Sequence, residues 1–154
     1  MDVVDTATRS AMMAGIKSKN TRPELALRRF LHGLGFRFRV HVKELPGKPD
    51  LVLPRYRLCI FVHGCFWHRH PGCRFAATPK SNTEFWRQKF VANTARDELV
   101  EKQLHEAGWR VFRIWECGLK NADFQTLGWL PERVRGTTSF RRCFPNRCSL
   151  NGTN

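Results

Sequence analysis

Cys65, His70 and Cys73 lie within the nine-residue run CFWHRHPGC, and Cys117 follows a distant apolar segment. Three thiols and an imidazole at this spacing suit a closed tetrahedral site, in which soft donors hold a structural Zn²⁺ and leave no open position. His68 in the same run could replace His70, and spacing alone leaves that choice open. The plainer reading is ordinary buried cysteines beside surface histidines. It must explain a dense triplet drawn from a residue type that occurs six times in the chain. Cys59 sits inside an apolar run and reads as core, while Cys143 and Cys148 near the C-terminus read as incidental.

A second group of residues could act on phosphate. Asp50 closes the turn LPGKPD and opens an apolar run. A carboxylate at a strand edge is a reasonable Mg²⁺ ligand for phosphodiester hydrolysis, although turn aspartates are also common for purely local reasons. His63 and His68 flank Gly64, Cys65, Phe66 and Trp67. An imidazole titrates near neutrality and can take a proton from a water aimed at phosphorus. Either histidine could equally be a zinc ligand, a phosphate contact or a packed side chain. Phe66, Trp67 and Trp86 occur in loop or helix-start positions among basic residues. There they could wedge between base pairs or stack on a base, with core packing as the alternative. Trp109 and Trp115 read as core. Glu24 has two readings, a helix-capping carboxylate and a residue supporting a metal site.

The charge balance narrows the partner. Lys and Arg number 27 against 13 Asp and Glu, a formal net charge of +14. Such an excess favours a polyanion, because cationic side chains displace counterions from phosphates; a ribosome-bound or lipid-bound basic protein is the competing class. No run is long and apolar enough to span a membrane, and the first residues lack a signal-peptide core. A cytosolic location follows as the expectation, with the cysteines reduced and available to a metal.

These residues need elements to hold them. Residues 1–20 read as a polar, basic arm or a short helix, 21–135 as one folded domain, and 136–154 as a basic tail without periodicity, poorly ordered. Thr21 followed by Glu24 predicts a capping box. Leu27, Phe30, Leu31 and Leu34 continue at helical spacing until Gly33 and Gly35 end the helix. FRFRVH (36–41) alternates as a strand, DLVLP (50–54) reads as a short buried strand, and RLCIFVHG (57–64) as a central one. Residues 83–107 are helical, with a break at the polar Asn93 and Thr94. WRVFRIWE (109–116) is a last strand. This order predicts an α/β fold: a mixed β-sheet flanked by helices on both faces.

Taken together, PGKPD, FVHGCFWHRHPGC, TEFWRQKFVANTARD and GWRVFRIWEC resemble the very short patch repair (Vsr) endonuclease family, from about Arg9 to Cys117 and on to about residue 130. The resemblance implies a restriction-endonuclease-like fold with a structural zinc site. It implies an N-terminal arm that contacts DNA and a Mg²⁺-dependent endonuclease domain. The implied reaction is a nick 5′ to the thymine of a T·G mismatch in a CTWGG-like context, where 5-methylcytosine has deaminated, initiating repair. By position, Asp50 would bind Mg²⁺, with the Val62 backbone carbonyl as a further ligand, and His68 would activate water. Glu24, His63 and Asp97 would support that site. Cys65, His70, Cys73 and Cys117 would bind zinc. Phe66, Trp67 and Trp86 would intercalate beside the mismatch, and Met13 and Ile16 would reach the opposite groove. Double-stranded DNA is the implied partner, the mismatch-repair protein MutL a further candidate, and a monomer in the bacterial cytoplasm, associated with the nucleoid, the implied state. The usual Asp…Glu-x-Lys of the wider nuclease superfamily becomes Asp50…Phe61-x-His63, consistent with histidine chemistry in place of a lysine-oriented water.

Overall fold

A computed structural model describes residues 20–120, 124–136 and 142–144. The arm with Met13 and Ile16, and most of the tail, lie outside these residues. Helix α1 (Arg22–Gly33) is followed by strands β1 (Arg39–Val40), β2 (Leu51–Leu53) and β3 (Leu58–His63), then helix α2 (Thr83–Glu106) and strand β4 (Arg110–Trp115). Two short helices, α3 (Phe124–Leu127) and α4 (Leu130–Arg135), precede β5 (Arg142–Phe144). The sheet order is β1-β2-β3-β4-β5. The first three strands form an antiparallel meander; β3, β4 and β5 run parallel. Thus Arg142–Phe144, within the segment read from sequence as a tail, carries a strand.

Alternation along the strands divides the interior in two. Leu51, Leu53, Leu58, Ile60, Phe112 and Ile114 face Leu27 and Leu31 of α1 together with Leu127, Leu130 and Val134 of α3 and α4. Val52, Cys59, Phe61 and Val111 face the other way, onto Leu104 and Val100 of α2. Period-two strands sandwiched between helices give this division directly. Each fully buried leucine contributes about 1.5–3 kcal/mol.

Local chemistry accounts for the boundaries. Thr21 caps α1 by accepting the Glu24 N–H at 3.4 Å. Glu24 Oε2 accepts from Asn20 N at 3.0 Å, so the reciprocal half of the capping box lands one residue earlier than expected. β1 is shorter than the alternation suggested. Its register, Arg39↔Val52, would bring Arg37 opposite Pro54, which has no N–H to donate. The inward-facing Phe36 of that pattern is nonetheless buried. Helix α2 does not break at Asn93 and Thr94; the Thr94 hydroxyl bonds back to the Phe90 carbonyl at 3.0 Å within a continuous helix. Buried Arg110 donates to the carbonyls of Val134 and Arg133 at the end of α4, which the last turn of a helix leaves unpaired.

Candidate functional site

Two polar clusters are built where β3 and β4 end. In the first, the loop after β3 supplies Cys65, His70 and Cys73, and a 3-10 turn after β4 supplies Cys117. All four residues are buried, and their ligand atoms lie within 4.8 Å of one another. His70 Nδ1 is 3.7 Å from Cys65 Sγ and 3.4 Å from Cys117 Sγ. Zinc–sulfur bonds of about 2.3 Å and zinc–nitrogen bonds of about 2.0 Å put tetrahedral ligands about 3.5–3.8 Å apart, so the donors fit such an ion. His70 also stacks on Trp115, centroids 4.4 Å apart. Hydrogen bonding from Cys117 pulls the Cys65 thiol down to about 6, toward the thiolate that a metal requires. His70 rather than His68 lies among the thiols.

The second cluster lines a cleft of about 930 Å³ that includes Glu24, His41, Asp50, Val62, His63, Phe66, Trp67, His68 and Asp97. Asp50 immediately precedes β2. β3 runs on past the β2 pairing, which reaches only Leu51↔Ile60, and the Val62 N–H turns to Asp50 Oδ2 at 2.7 Å. Burial pushes the Asp50 carboxyl up to about 7; the Val62 hydrogen bond opposes this and the nearby Glu24 charge adds to it. A raised, crowded carboxylate of this kind is relieved by a cation. Glu24 Oε2 also meets Arg28 Nη2 at 3.1 Å and His41 Nε2 at 3.0 Å. Glu24 therefore contributes to the helix start and to the cleft at once.

On the other side of the cleft, His68 Nδ1 lies 2.6 Å from Asp97 Oδ2. With Nδ1–H donating to Asp97, Nε2 carries the lone pair. His63 stacks beneath His68, centroids 3.9 Å apart and rings within 10° of parallel. Burial first, then the His68 and Arg113 charges, lower the affinity of His63 for a proton, so it stays neutral under its neighbour. Asp97 reaches this position because α2 carries one continuous inward stripe. Trp86 and Phe90 come first, then Asn93, whose side chain donates to the Trp67 carbonyl at 3.2 Å, then Asp97, and finally Val100 and Leu104.

The aromatic residues divide by exposure. Phe66 and Trp67 are half-buried at the cleft, whereas Trp86 is buried beneath them. Phe66 packs edge-on against Trp67, Trp86 and Phe90, with centroids 5.1–5.5 Å apart. Arg69 holds this loop through the Ala76 carbonyl at 2.6 Å and Thr78 Oγ1 at 3.0 Å, with its guanidinium 4.1 Å from the Phe90 ring centroid. Residue reasoning from the sequence missed His41, which no motif or spacing marks. Asp97 was reached only through the family resemblance.

The chain is similar along most of its length to several known proteins. The family described as DNA mismatch endonuclease Vsr matches residues 1–74. The type II nicking enzyme V.XorIIP of Xanthomonas oryzae pv. oryzae is 48% identical over 134 residues, covering 87% of this chain and 94% of its own. V.NmeAIP of Neisseria meningitidis, also a type II nicking enzyme, is 46% identical over 120 residues, 78% of this chain and 85% of its own. The DNA mismatch endonuclease Vsr of Escherichia coli K12 is 44% identical over 133 residues, 86% of this chain and 85% of its own. Likeness at this level over most of both chains shows that the protein belongs to the Vsr family of DNA mismatch endonucleases.

Proposed function

We propose that this DNA endonuclease nicks one strand of duplex DNA 5′ to the thymine of a T·G mismatch, in a CTWGG-like context, by Mg²⁺-dependent hydrolysis. The observation that carries the reading is the cleft that holds Asp50 on one wall and the His68–Asp97 pair on the other. Asp50 and the Val62 carbonyl would hold the Mg²⁺, which when bound would stabilise charge on the scissile phosphate and the leaving oxygen. His68 Nε2 accepts the proton of the attacking water, and Asp97 holds the imidazole in that tautomer and orientation. His63, neutral, supports the ring of His68 without adding a positive charge beside it. Glu24 orders the Asp50 side of the cleft.

Phe66 and Trp67 would enter the duplex, with Trp86, buried behind them, as their support. A mismatched pair stacks less firmly and is therefore the less costly place for such a wedge. Met13 and Ile16 would approach from the opposite groove. Cys65, His70, Cys73 and Cys117 would bind Zn²⁺ as a structural staple separate from the reaction. The antiparallel meander, followed by a helical crossover to a parallel strand, supports a restriction-endonuclease-like fold. Among the described residues no helix is long and apolar enough to cross a membrane. Bacterial cytoplasm near the nucleoid, a monomer on an asymmetric lesion, and contact with MutL complete the proposal.

The test is a nicking assay on a labelled duplex with a single T·G mismatch. Wild type should cut 5′ to the thymine only with Mg²⁺, while Asp50→Ala and His68→Ala should bind without cutting. Equal cutting of the fully paired duplex would overturn the mismatch reading.

A further inference from the structure

His41 stands at an unusual convergence. It follows β1 with φ of 49°, in the left-handed region that non-glycine residues occupy at a cost. Its N–H is 3.4 Å from the Asp50 carbonyl, so the strained residue is pinned beside Asp50. Its Nε2 lies 3.0 Å from Glu24 Oε2, 3.2 Å from Arg28 Nη2 and 3.9 Å from Asp50 Oδ1.

These contacts at Nε2 make opposing demands. A carboxylate can only accept and a guanidinium can only donate, whereas one ring nitrogen offers either a proton or a lone pair. No tautomer satisfies both neighbours. Asp50 Oδ2 is already engaged by the Val62 N–H, so Oδ1 is the oxygen it turns toward His41. Glu24, His41 and Asp50 each present a ligand atom, all within 4.8 Å of one another, from three separate parts of the chain. A cation seated among them uses the Nε2 lone pair and leaves Arg28 to Glu24 and to Asn20 Oδ1, which it reaches at 2.9 Å.

We infer that His41 is a nitrogen ligand of the divalent cation held at Asp50. The inference rests on the proposal that Asp50 holds a cation, and it changes the character of that site. Carboxylate and carbonyl oxygens suit Mg²⁺, while an added imidazole raises affinity for transition metals. The cleft then accepts both classes of ion rather than Mg²⁺ alone.

Mn²⁺ titrated into the full-length, zinc-loaded protein and read by electron paramagnetic resonance tests this, because zinc-loaded thiolates do not release their site to Mn²⁺. Pulsed measurement on the wild type should show the ¹⁴N coupling of a directly bound imidazole. His41→Gln should lose that coupling and weaken Mn²⁺ binding about tenfold, while His68→Ala keeps the coupling and Asp50→Ala abolishes binding. Wild-type Mn²⁺ that depends on Asp50 but shows no ¹⁴N coupling would overturn the role of His41 and leave the cation at Asp50 intact. Coupling that survives His41→Gln would do the same. No Mn²⁺ binding, or binding unchanged by Asp50→Ala, would remove the cation site itself and the inference with it. The wild-type spectrum decides the matter even if a variant folds poorly.

Discussion

The thiol cluster and the carboxylate–imidazole cleft share one strand end, with Cys65 two residues from His63, but they treat their polar groups in opposite ways. In the first, four buried soft donors point at one another and the aromatic face of Trp115 covers the imidazole. In the second, Asp50, His68 and Asp97 remain partly exposed on a large cleft. One arrangement is complete once an ion is enclosed; the other must stay open to a phosphate. The difference teaches that proximity in sequence does not set the task. Donor softness and access do.

The comparison breaks most severely at the thiols. Cys117→Ser removes a donor that joins β4 to the loop after β3. Structural zinc sites contribute about 10–16 kcal/mol of apparent binding energy, so the variant should lose bound zinc and cooperative melting together, as followed by metal analysis and calorimetry. Loss of zinc without loss of the melting transition would argue against a staple.

At the cleft the expected cost falls on rate and leaves the fold intact. His68→Ala should lower the single-turnover nicking rate by about 10²–10⁴, and Asp97→Asn by about 10–100, as for a residue acting through its partner. Both should melt within a few degrees of wild type. An Asp97→Asn variant as slow as His68→Ala would assign the carboxylate a more direct part in the reaction.

Asp50 supplies a pH signature that sharpens the contrast. Its carboxyl has an ordinary value of 3.8 and stands at about 7 in the fold. Below the ordinary value both states are protonated and the group is neutral toward stability. Between 3.8 and about 7 the folded state keeps a proton that the unfolded chain has lost, so stability falls progressively across that window and levels off above it. The upper limit is about 4 kcal/mol by linkage, less in practice because the site is partly solvated. Metal-free protein should therefore melt lower at pH 8 than at pH 5, Asp50→Asn should flatten that slope, and added Mg²⁺ should protect most at high pH. Denaturant titrations at several pH values measure all three.

The smallest effect lies in the turn that lines the cleft before Asp50. Gly47 has φ of 73°, and a methyl group there would collide with Val100 Cγ1 of α2. Gly47→Ala should cost on the order of 1–3 kcal/mol and move the turn that carries Asp50. Nicking would then slow more than stability alone explains. An unchanged rate would show that Asp50 is held by Val62 rather than by its turn.

Much of this contrast was legible in the sequence, and unevenly so. The apolar runs that became β2, β3 and β4 announced themselves because both faces of the sheet are covered. The Cys-His-Cys triplet was visible because its three donors crowd into one loop. Asp97 was hidden by the same helix that presents it. Polar Asn93, on the same stripe of α2, reads with Thr94 as a break in the helix, when it marks where the stripe passes the cleft. His41 was hidden because its role comes from left-handed backbone and from neighbours 9 to 17 positions away. β5 was hidden because three residues of strand in a basic segment carry no periodicity.

The position of Cys117 also bears on how the chain finds its fold. Parallel pairing of β3 with β4 must bring together segments some fifty residues apart, a slow search by topology. Three donors of the thiol cluster are already close in sequence, so an unfolded chain can capture an ion on them before any sheet exists. Recruiting Cys117, 47 positions beyond His70, then draws β4 to the edge of β3. A zinc ion held on this cluster, as proposed, would guide assembly as well as support the finished fold, and refolding should run faster when zinc is present from the first millisecond than when it is added afterward.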